Sequence, residues 1–334
     1  MKNHNIAVTG VGGGVGLSVI KSLYNTRYNV IGLDGEPLGT GLYLTPKSYK
    51  IPYANNHDYI PQLLDICKNN DCKLLFPGLD AELMPLALNK HKFDEIGTTV
   101  VVSRPEVITI SDDKLETYKE LISLGVNVPK TFDLKDWEYV KNEIEFPIIV
   151  KQRLGGARSK NVYMFSLEKD LVEFLENIGA NAEKFIVQEY IEGDEYTCGS
   201  VNLNDVCKGV IVMRRILRDG DTYKCFSELN PIIESEVRKV VDAIKPFGAC
   251  NVQLRLKNGI PYVFEINARC SGTTAARTLC GFNEPKMIAD YLLEGIEPSY
   301  RIEEKTILRY WTELEIDNKH VQDMKNNAML TNCI

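Results

Sequence analysis

The sequence predicts a mixed α/β and α+β protein, a parallel-sheet unit followed by a unit built around antiparallel hairpins. Three observations carry that reading. Over the first hundred residues, short apolar runs alternate with helical segments, the pattern of a parallel sheet covered by helices on both faces. At Asn258-Gly259, two apolar runs, 251–256 and 262–266, meet across an Asn-Gly pair, the strongest local hairpin signal. Between these regions a glycine-containing basic loop at 152–161 joins an apolar run ending in Lys151 to a strand at 162–165.

Bulk composition narrows the class. A chain of 334 residues exceeds one ordinary core and predicts two or three subdomains. A net charge of −7 argues against the basic footprint of a general nucleic-acid binder. No apolar run approaches the roughly 20 residues of a membrane span, so neither nucleic acid nor membrane is an expected partner. The first residues run into a strand without a cleavable signal, and nine cysteines without a CxxC pair suit reduced thiols. Both point to the cytoplasm. His4, His57, His91 and His320 are scattered and show no zinc-ligand spacing.

Taken in order, the front unit reads as a strand at 6–9, the glycine run 10–16, a helix at 17–24, a strand at 29–34, a helix at 58–69, and strands at 73–76 and 99–102. Strict GxGxxG fails in the glycine run, because Val15 or Leu17 occupies the third glycine position. The looser GxxGxxG fits Gly10, Gly13 and Gly16, with Asp34 placed as a ribose-binding acid. Three readings stay open: a nicotinamide site, close packing of a helix on the sheet, or an acidic substrate group held at the helix start by Gly12 and Gly13. The only Tyr-xxx-Lys, Tyr43 to Lys47, contains Pro46, which counts against a reductase or epimerase. In the loop 77–82, Asp80 and Glu82 suit either an amine ligand or a helix cap.

Ser111 or Asp112 is the expected cap of a helix at 115–124, closed by Gly125. A helix near 136–142 and a strand at 146–151 follow. The basic loop, with Gly155 and Gly156, suits a flap whose amides and cations cover phosphates; no GxxxxGK[ST] occurs. A strand at 184–191 leads through a short linker to a second strand starting at Glu195. Such a linker between lobes can face an adenine edge, with Glu195 reaching ribose hydroxyls.

In the hairpin, a period of two puts Glu265 and Asn267 on one face. A carboxylate and an amide oxygen are hard ligands suited to magnesium, and Gln253 on the partner strand offers a third. A tight two-residue turn would pair Gln253 with Phe264; a three-residue loop, 258–260, pairs it with Glu265. The longer or bulged turn is therefore predicted. An ordinary hairpin with a polar strand end fits the same spacing. Arg214, Arg215 and Arg218 lie on a strand entering a polar loop and suit an anionic substrate or a solvated edge. Ser271 opens a helix at 271–277 whose amides suit a phosphate or carboxylate, or only cap the helix. The tail beyond 305 suits an edge contact or an oligomer contact.

Together, these pieces resemble the ATP-grasp family from about residue 111 to 290, most of all the ATP-grasp halves of the carbamoyl-phosphate synthase large chain. The resemblance implies a Rossmann-like pre-ATP-grasp domain (1–110), followed by a two-lobed ATP-grasp domain. Its small lobe with the phosphate loop would be 111–190, its large lobe with the metal and substrate site 191–305, and a C-terminal extension 306–334. It implies a metal trio at Gln253, Glu265 and Asn267, with Glu-x-Asn-x-Arg matched by Glu265 to Arg269. Phosphate contacts fall at Lys114 and Lys151, and adenine and ribose contacts at Gln188, Glu189, Ile191 and Glu195. The family usually has Glu where Gln188 stands, and a Gln carbonyl also accepts from an adenine amino group. The implied cofactors are ATP and Mg2+ (or Mn2+). The implied reaction is ADP-forming ligation of a small-molecule carboxylate to an amine or thiol through an acylphosphate, with Arg269 and Lys151 catalytic. A homodimer is compatible with it. A single unit without an amidotransferase region argues against complete carbamoyl-phosphate synthesis. The alternatives are an ATP-grasp small-molecule kinase, an NAD(P)-dependent reductase or epimerase using the glycine turn, and a non-catalytic ATP-binding regulator.

Overall fold

The computed structural model describes residues 4–156 and 160–331. At the front, β1 (Asn5–Val8) passes through the glycine run into α1 (Gly14–Leu23), followed by β2 (Asn29–Asp34) and β3 (Lys47–Lys50). Then come α2 (Tyr59–Asn69), β4 (Cys72–Phe76), α3 (Asp80–Leu88), α4 (Lys90–Glu95) and β5 (Thr99–Val100). These strands are parallel in the order β3-β2-β1-β4-β5, as the alternation predicts. The sheet is apolar on both faces: Ile6, Val8 and Leu74 pack on one side, Ala7, Leu33 and Leu75 on the other.

The glycine run serves close packing. A Cβ on Gly16 would sit 2.4 Å from the Gly10 carbonyl oxygen, and one on Gly78 would sit 2.1 Å from that of Thr9. Asp34 accepts the backbone N–H groups of Gly12 at 2.6 Å and Glu36 at 2.8 Å. The acid expected on a ribose thus holds the turn itself. Glu82 takes the capping role of its two readings: it is buried, and its Oε2 accepts from Thr9 Oγ1 (2.6 Å) and from the Gly78 and Leu79 N–H groups (3.2 Å each).

The next segment opens with α5 (Pro105–Asp112) and α6 (Lys114–Ser123). The cap of α6 is neither Ser111 nor Asp112 but Asp113, which accepts from Leu115 N–H at 2.9 Å. Ser111 Oγ instead donates back to the Val107 carbonyl inside α5. The small lobe comprises β6 (Thr131–Asp133), α7 (Trp137–Val140), β7 (Ile148–Gln152), β8 (Val162–Phe165), α8 (Glu168–Ile178) and β9 (Phe185–Glu189). Its antiparallel sheet, β6-β9-β7-β8, closes over a separate core that includes Trp137, Ile148, Leu171 and Val187.

The large lobe adds β10 (Asp194–Leu203), β11 (Val206–Arg218), β12 (Asp221–Glu228), α9 (Pro231–Ile244), β13 (Gly248–Lys257) and β14 (Ile260–Asn267). After these come α10 (Thr274–Leu279), α11 (Glu284–Glu294) and β15 (Thr306–Leu308). Its antiparallel sheet runs β14-β13-β10-β11-β12-β15. One face buries Tyr196, Val212, Leu254 and Ile266 against α9. The other shares a core with the front unit, where Ile211, Met213, Phe282 and Ile288 meet Val8, Val19 and Leu23. The chain ends with α12 (Asn318–Asn327) and β16 (Met329–Thr331), which pairs antiparallel with β3. The tail therefore packs on an edge of the first sheet. Among the described residues the cysteines are free thiols, and no helix is long and apolar enough to cross a membrane.

The hairpin reaches the expected pairing by an unexpected route. Lys257 pairs with Ile260 across a two-residue turn, with Asn258 at φ 52° and Gly259 at φ 79°, the left-handed pair a tight primed turn needs. There is no three-residue loop. Register shifts instead at Phe264, which is skipped between the pairs Leu254–Val263 and Gln253–Glu265. This bulge lets Val263 and Ile266, three residues apart, face the same core.

Two predictions follow from the front unit. Gly78→Ala should cost about 1–3 kcal/mol by overpacking in urea denaturation, whereas Gly14→Ala, with nothing near its added Cβ, should be neutral or slightly stabilising. Burial pushes the Glu82 carboxyl up to about 7 from 4.5 despite its donors. The folded state therefore holds a proton that the unfolded state releases. Stability should be greatest below about pH 4.5 with respect to this group and fall as pH rises to about 7, by on the order of 3 kcal/mol. Glu82→Gln should flatten that part of the pH–stability curve.

Candidate active site

A cavity of about 560 Å³ opens between the small lobe, the large-lobe sheet and the front unit. Period-two alternation sorts the residues of β10 to β14 onto its wall. Glu195, Thr197, Arg215, Asn251, Gln253, Glu265 and Asn267 line it, whereas Tyr196, Cys198 and Val252 turn to α9. Arg214 turns away as well, pairing with Glu228 at 2.8 Å. Of Arg214, Arg215 and Arg218, only Arg215 lines the cavity. The bulge is what brings Glu265 to this face beside Gln253.

The candidate metal trio comes together. Glu265 Oε1 accepts from Gln253 Nε2 at 3.2 Å and from Asn267 Nδ2 at 3.0 Å. The amide oxygens face arginines: Gln253 Oε1 accepts from Arg215 Nη2 at 2.6 Å, and Asn267 Oδ1 from Arg269 Nη2 at 3.0 Å. Each amide oxygen has two lone pairs, so an arginine contact leaves capacity for a cation. Among the described residues, no group of three or more His, Cys, Asp or Glu side chains could hold a metal. One carboxylate and two amides fit a hard cation only when an anionic ligand supplies further oxygens, as magnesium shared with phosphates requires.

Lys151 is buried, with Nζ donating to the Phe264 carbonyl at 3.3 Å, the carbonyl of the bulged residue. Burial lowers its ammonium to about 8, opposed by Glu265 and reinforced by Lys114. Lys114 Nζ donates to the Gly155 carbonyl at 2.5 Å, and Asp112 accepts the Gly155 N–H at 3.1 Å. Arg153 ties the loop base to Asp113 and Asp133. Gly156 and Lys160 line the cavity and Gly155 does not; Ala157, Arg158 and Ser159 of the expected flap lie outside the described residues.

At the lobe junction, Gln188, Glu189, Ile191 and Glu195 all line the cavity. Thr131 Oγ1 donates to the Pro129 carbonyl at 2.9 Å, so it accepts from Gln188 Nε2 at 2.8 Å. That fixes the Gln188 amide with its oxygen left as an acceptor. Glu189 accepts the Lys130 N–H at 3.2 Å. Glu195 is held by Arg215 at 2.6 Å and Arg255 at 2.7 Å.

Arg269 is not free. It makes two parallel 2.7 Å bonds to Asp80 at the start of α3, and Nη1 donates to the Cys270 carbonyl at 2.9 Å. Burial would raise the Asp80 carboxyl, but the Arg269 guanidinium beside it holds it below the ordinary carboxylate range. This bidentate pair fastens the end of β14, which carries Glu265 and Asn267, to the front unit. Gly13, Gly14 and Val15 bring the start of α1 to the cavity beside Ser271, Gly272 and Thr273, while Gly12 does not line it. Ser271 Oγ and Thr273 Oγ1 lie 2.6 Å apart, and Ser18 Oγ donates to the Gly272 carbonyl at 2.9 Å.

Sequence reading did not single out Asn251, though it lies two residues before Gln253 and shares its face by strand alternation. Its Oδ1 accepts from Thr197 Oγ1 at 2.7 Å and from Arg277. Arg277 is fully buried and paired with the equally buried Glu284 at 2.8 Å. Burial raises the Glu284 carboxyl in spite of Arg277. Asn251 is thus held by its oxygen from behind and lines the cavity.

An ATP-grasp domain model matches residues 111–273, and a PylC-like N-terminal domain model matches residues 6–101. The carbamoyl phosphate synthase large chain of Thermoanaerobacter sp. is 26% identical over 216 residues, 60% of this chain but 20% of that protein. The chain therefore spans about a fifth of the length of that relative. D-alanine–D-alanine ligase A of Bacillus cereus is 26% identical over 240 residues, 64% of this chain and 77% of the ligase. Among solved structures, N5-carboxyaminoimidazole synthetase from Staphylococcus aureus complexed with ADP superposes with a TM-score of 0.76 at 17% identity. That match covers 98% of this chain and 86% of the synthetase. With two lobes and a cavity arranged in this way, residues 111–273 form an ATP-grasp domain that follows a PylC-like N-terminal domain.

Proposed function

We propose that this chain is an ATP- and Mg2+-dependent ligase that joins a small-molecule carboxylate to an amine or thiol, forming ADP through an acylphosphate. The observation that supports it best is the convergence on one cavity of Gln253, Glu265 and Asn267 from the large lobe with Lys151 and Gly156 from the small lobe. The relatives carry the same class of activity in their names, a synthase and a ligase. The nicotinamide reading is less well supported, since Asp34 holds the Gly12 and Glu36 amides of its own turn and does not line the cavity.

In this reading Gln253, Glu265 and Asn267 hold Mg2+, which when bound neutralises charge on the ATP phosphates. The Gln188 carbonyl accepts from the base amino group, and Glu189, Ile191 and Glu195 border the base and ribose. Lys114 and Lys151 meet the phosphates, together with the amide of Gly156. A carboxylate oxygen of the acid substrate attacks the γ-phosphorus, and the bond to the ADP oxygen breaks. The amine then attacks the acyl carbon, and phosphate leaves. Arg269, held flat by Asp80, keeps one Nη1 N–H beyond its bonds to Asp80, Asn267 and the Cys270 carbonyl, and this donor meets anionic charge at the acyl end. The start of α1 and the Ser271–Thr273 turn border the same end.

Glu265→Gln should lower acid- and amine-dependent ADP release by about 100-fold or more and abolish the magnesium dependence of ATP binding in calorimetry. Wild-type-like turnover in that variant would sink the assignment. A stable phosphorylated acid that accumulates in the presence of amine would favour the kinase reading. The depressed pKa of Lys151 gives a second test. ATP affinity should weaken several-fold as pH rises through about 8 and the ammonium loses its proton. Lys151→Arg should keep the affinity flat over that range, because a guanidinium stays charged.

A further inference from the structure

Arg309 follows β15 at the far edge of the large-lobe sheet. Ile307 pairs with Cys225 and packs on the shared core. Alternation therefore puts Arg309, two residues on, on that same face, and it lines the cavity. Its backbone N–H donates to the Tyr223 carbonyl at 3.0 Å, and its Nη1 donates to the Thr222 carbonyl at 2.7 Å. These bonds fix the position of the guanidinium and leave most of its five donors unused.

The charge pattern around it is uneven. Arg269 is matched by Asp80, and Arg215 and Arg255 share Glu195. Among the described residues, no carboxylate lies within ion-pair distance of Arg309. The unmatched ammonium groups of Lys114, Lys151 and Lys160 approach from the α6 and phosphate-loop side. Arg309 comes from the opposite lobe, on the strap that runs back to the first sheet through α12 and β16. A partly buried guanidinium held by one backbone carbonyl and lacking a counter-ion is completed by an anion from a ligand.

We propose that Arg309 anchors a carboxylate of the substrate that shares this cavity with ATP, and so selects small acids of the amino-acid class. This rests on the ligase reading. Arg309 is a positioning residue in it: the planar fork takes both carboxylate oxygens and fixes the acid with respect to the reacting atoms.

The test measures MgATP binding by calorimetry and ADP release with the common L- and D-amino acids, singly and in pairs. At least one amino acid should drive ADP release by the wild-type protein. Arg309→Met should raise its KM about tenfold or more while kcat changes less than about threefold, the pattern of lost ground-state binding. Arg309→Lys, which keeps stem and charge, should recover part of the loss, and MgATP affinity should stay within about twofold in both variants. An unchanged KM in Arg309→Met overturns the proposal. So does a matching loss of MgATP affinity, which would assign Arg309 to the nucleotide. A wild-type protein that binds MgATP but releases no ADP with any amino acid overturns it while leaving the nucleotide site standing. Failure to bind MgATP at all removes the ligase reading and the proposal with it.

Discussion

The site depends on one extra residue in one strand. Phe264 is skipped in the ladder between β13 and β14, and the consequence is a change of face. Side chains on a strand alternate, so without the insertion Glu265 and Val263 would share a face, and Glu265 would turn toward the apolar core under α9. With it, Val263 and Ile266 fill that core and Glu265 stands between Gln253 and Asn267. The bulge also releases a backbone carbonyl from the ladder, and Lys151 donates to it from the other lobe. One local irregularity thus positions both the Glu265 carboxylate and the Lys151 ammonium at the cavity.

Around the trio, arginines do the orienting. Arg215 bridges Glu195 and Gln253, and Arg269 bridges Asp80 and Asn267. Each holds an amide by its oxygen and is itself held by a carboxylate from another element. Such networks are costly when half satisfied. Here Asp80 offsets Arg269 while Glu195 is shared by Arg215 and Arg255, so positive charge is left at that shared pair, at the lysines that face the phosphate loop and at Arg309. Arg269 carries a further mechanical role. Its pair with Asp80 joins the end of β14 to the start of α3 in the front unit, next to the Glu82 cap. The nucleotide lobe and the front unit are therefore coupled at the point where the acid substrate is proposed to react.

The parts of this arrangement legible in the sequence were those with a local cause. Strand–helix alternation gave the parallel sheet, because both faces are buried and the apolar runs are continuous. Asn258-Gly259 gave the turn, because both residues must take positive φ. The trio was found from strand period plus family pattern. The irregularity was expected in the turn, as a longer or bulged turn, and not at Phe264 in the strand, since nothing around Phe264 signals an unpaired position until the partner strand is known. The cap at Asp113 was misplaced by one or two residues, as neighbouring Ser111, Asp112 and Asp113 have nearly equal capping ability. Asp80 opposite Arg269, Glu284 opposite Arg277 and β16 opposite β3 are pairings over long sequence separations. No local pattern encodes them.

The same reasoning explains how an amide stands in for a carboxylate at the lobe junction. A glutamine can face a ligand with either end, and free rotation would blur which base edge it recognises. Thr131 removes the ambiguity, because its hydroxyl proton is committed to the Pro129 carbonyl and only its lone pair is left for Gln188. The amide nitrogen must point to Thr131 and the oxygen away from it. The acceptor face that a glutamate would present is thereby kept at a buried position without burying a charge. In the proposed nucleotide site, selectivity for a base bearing an exocyclic amine would then rest on a threonine that need not touch the nucleotide.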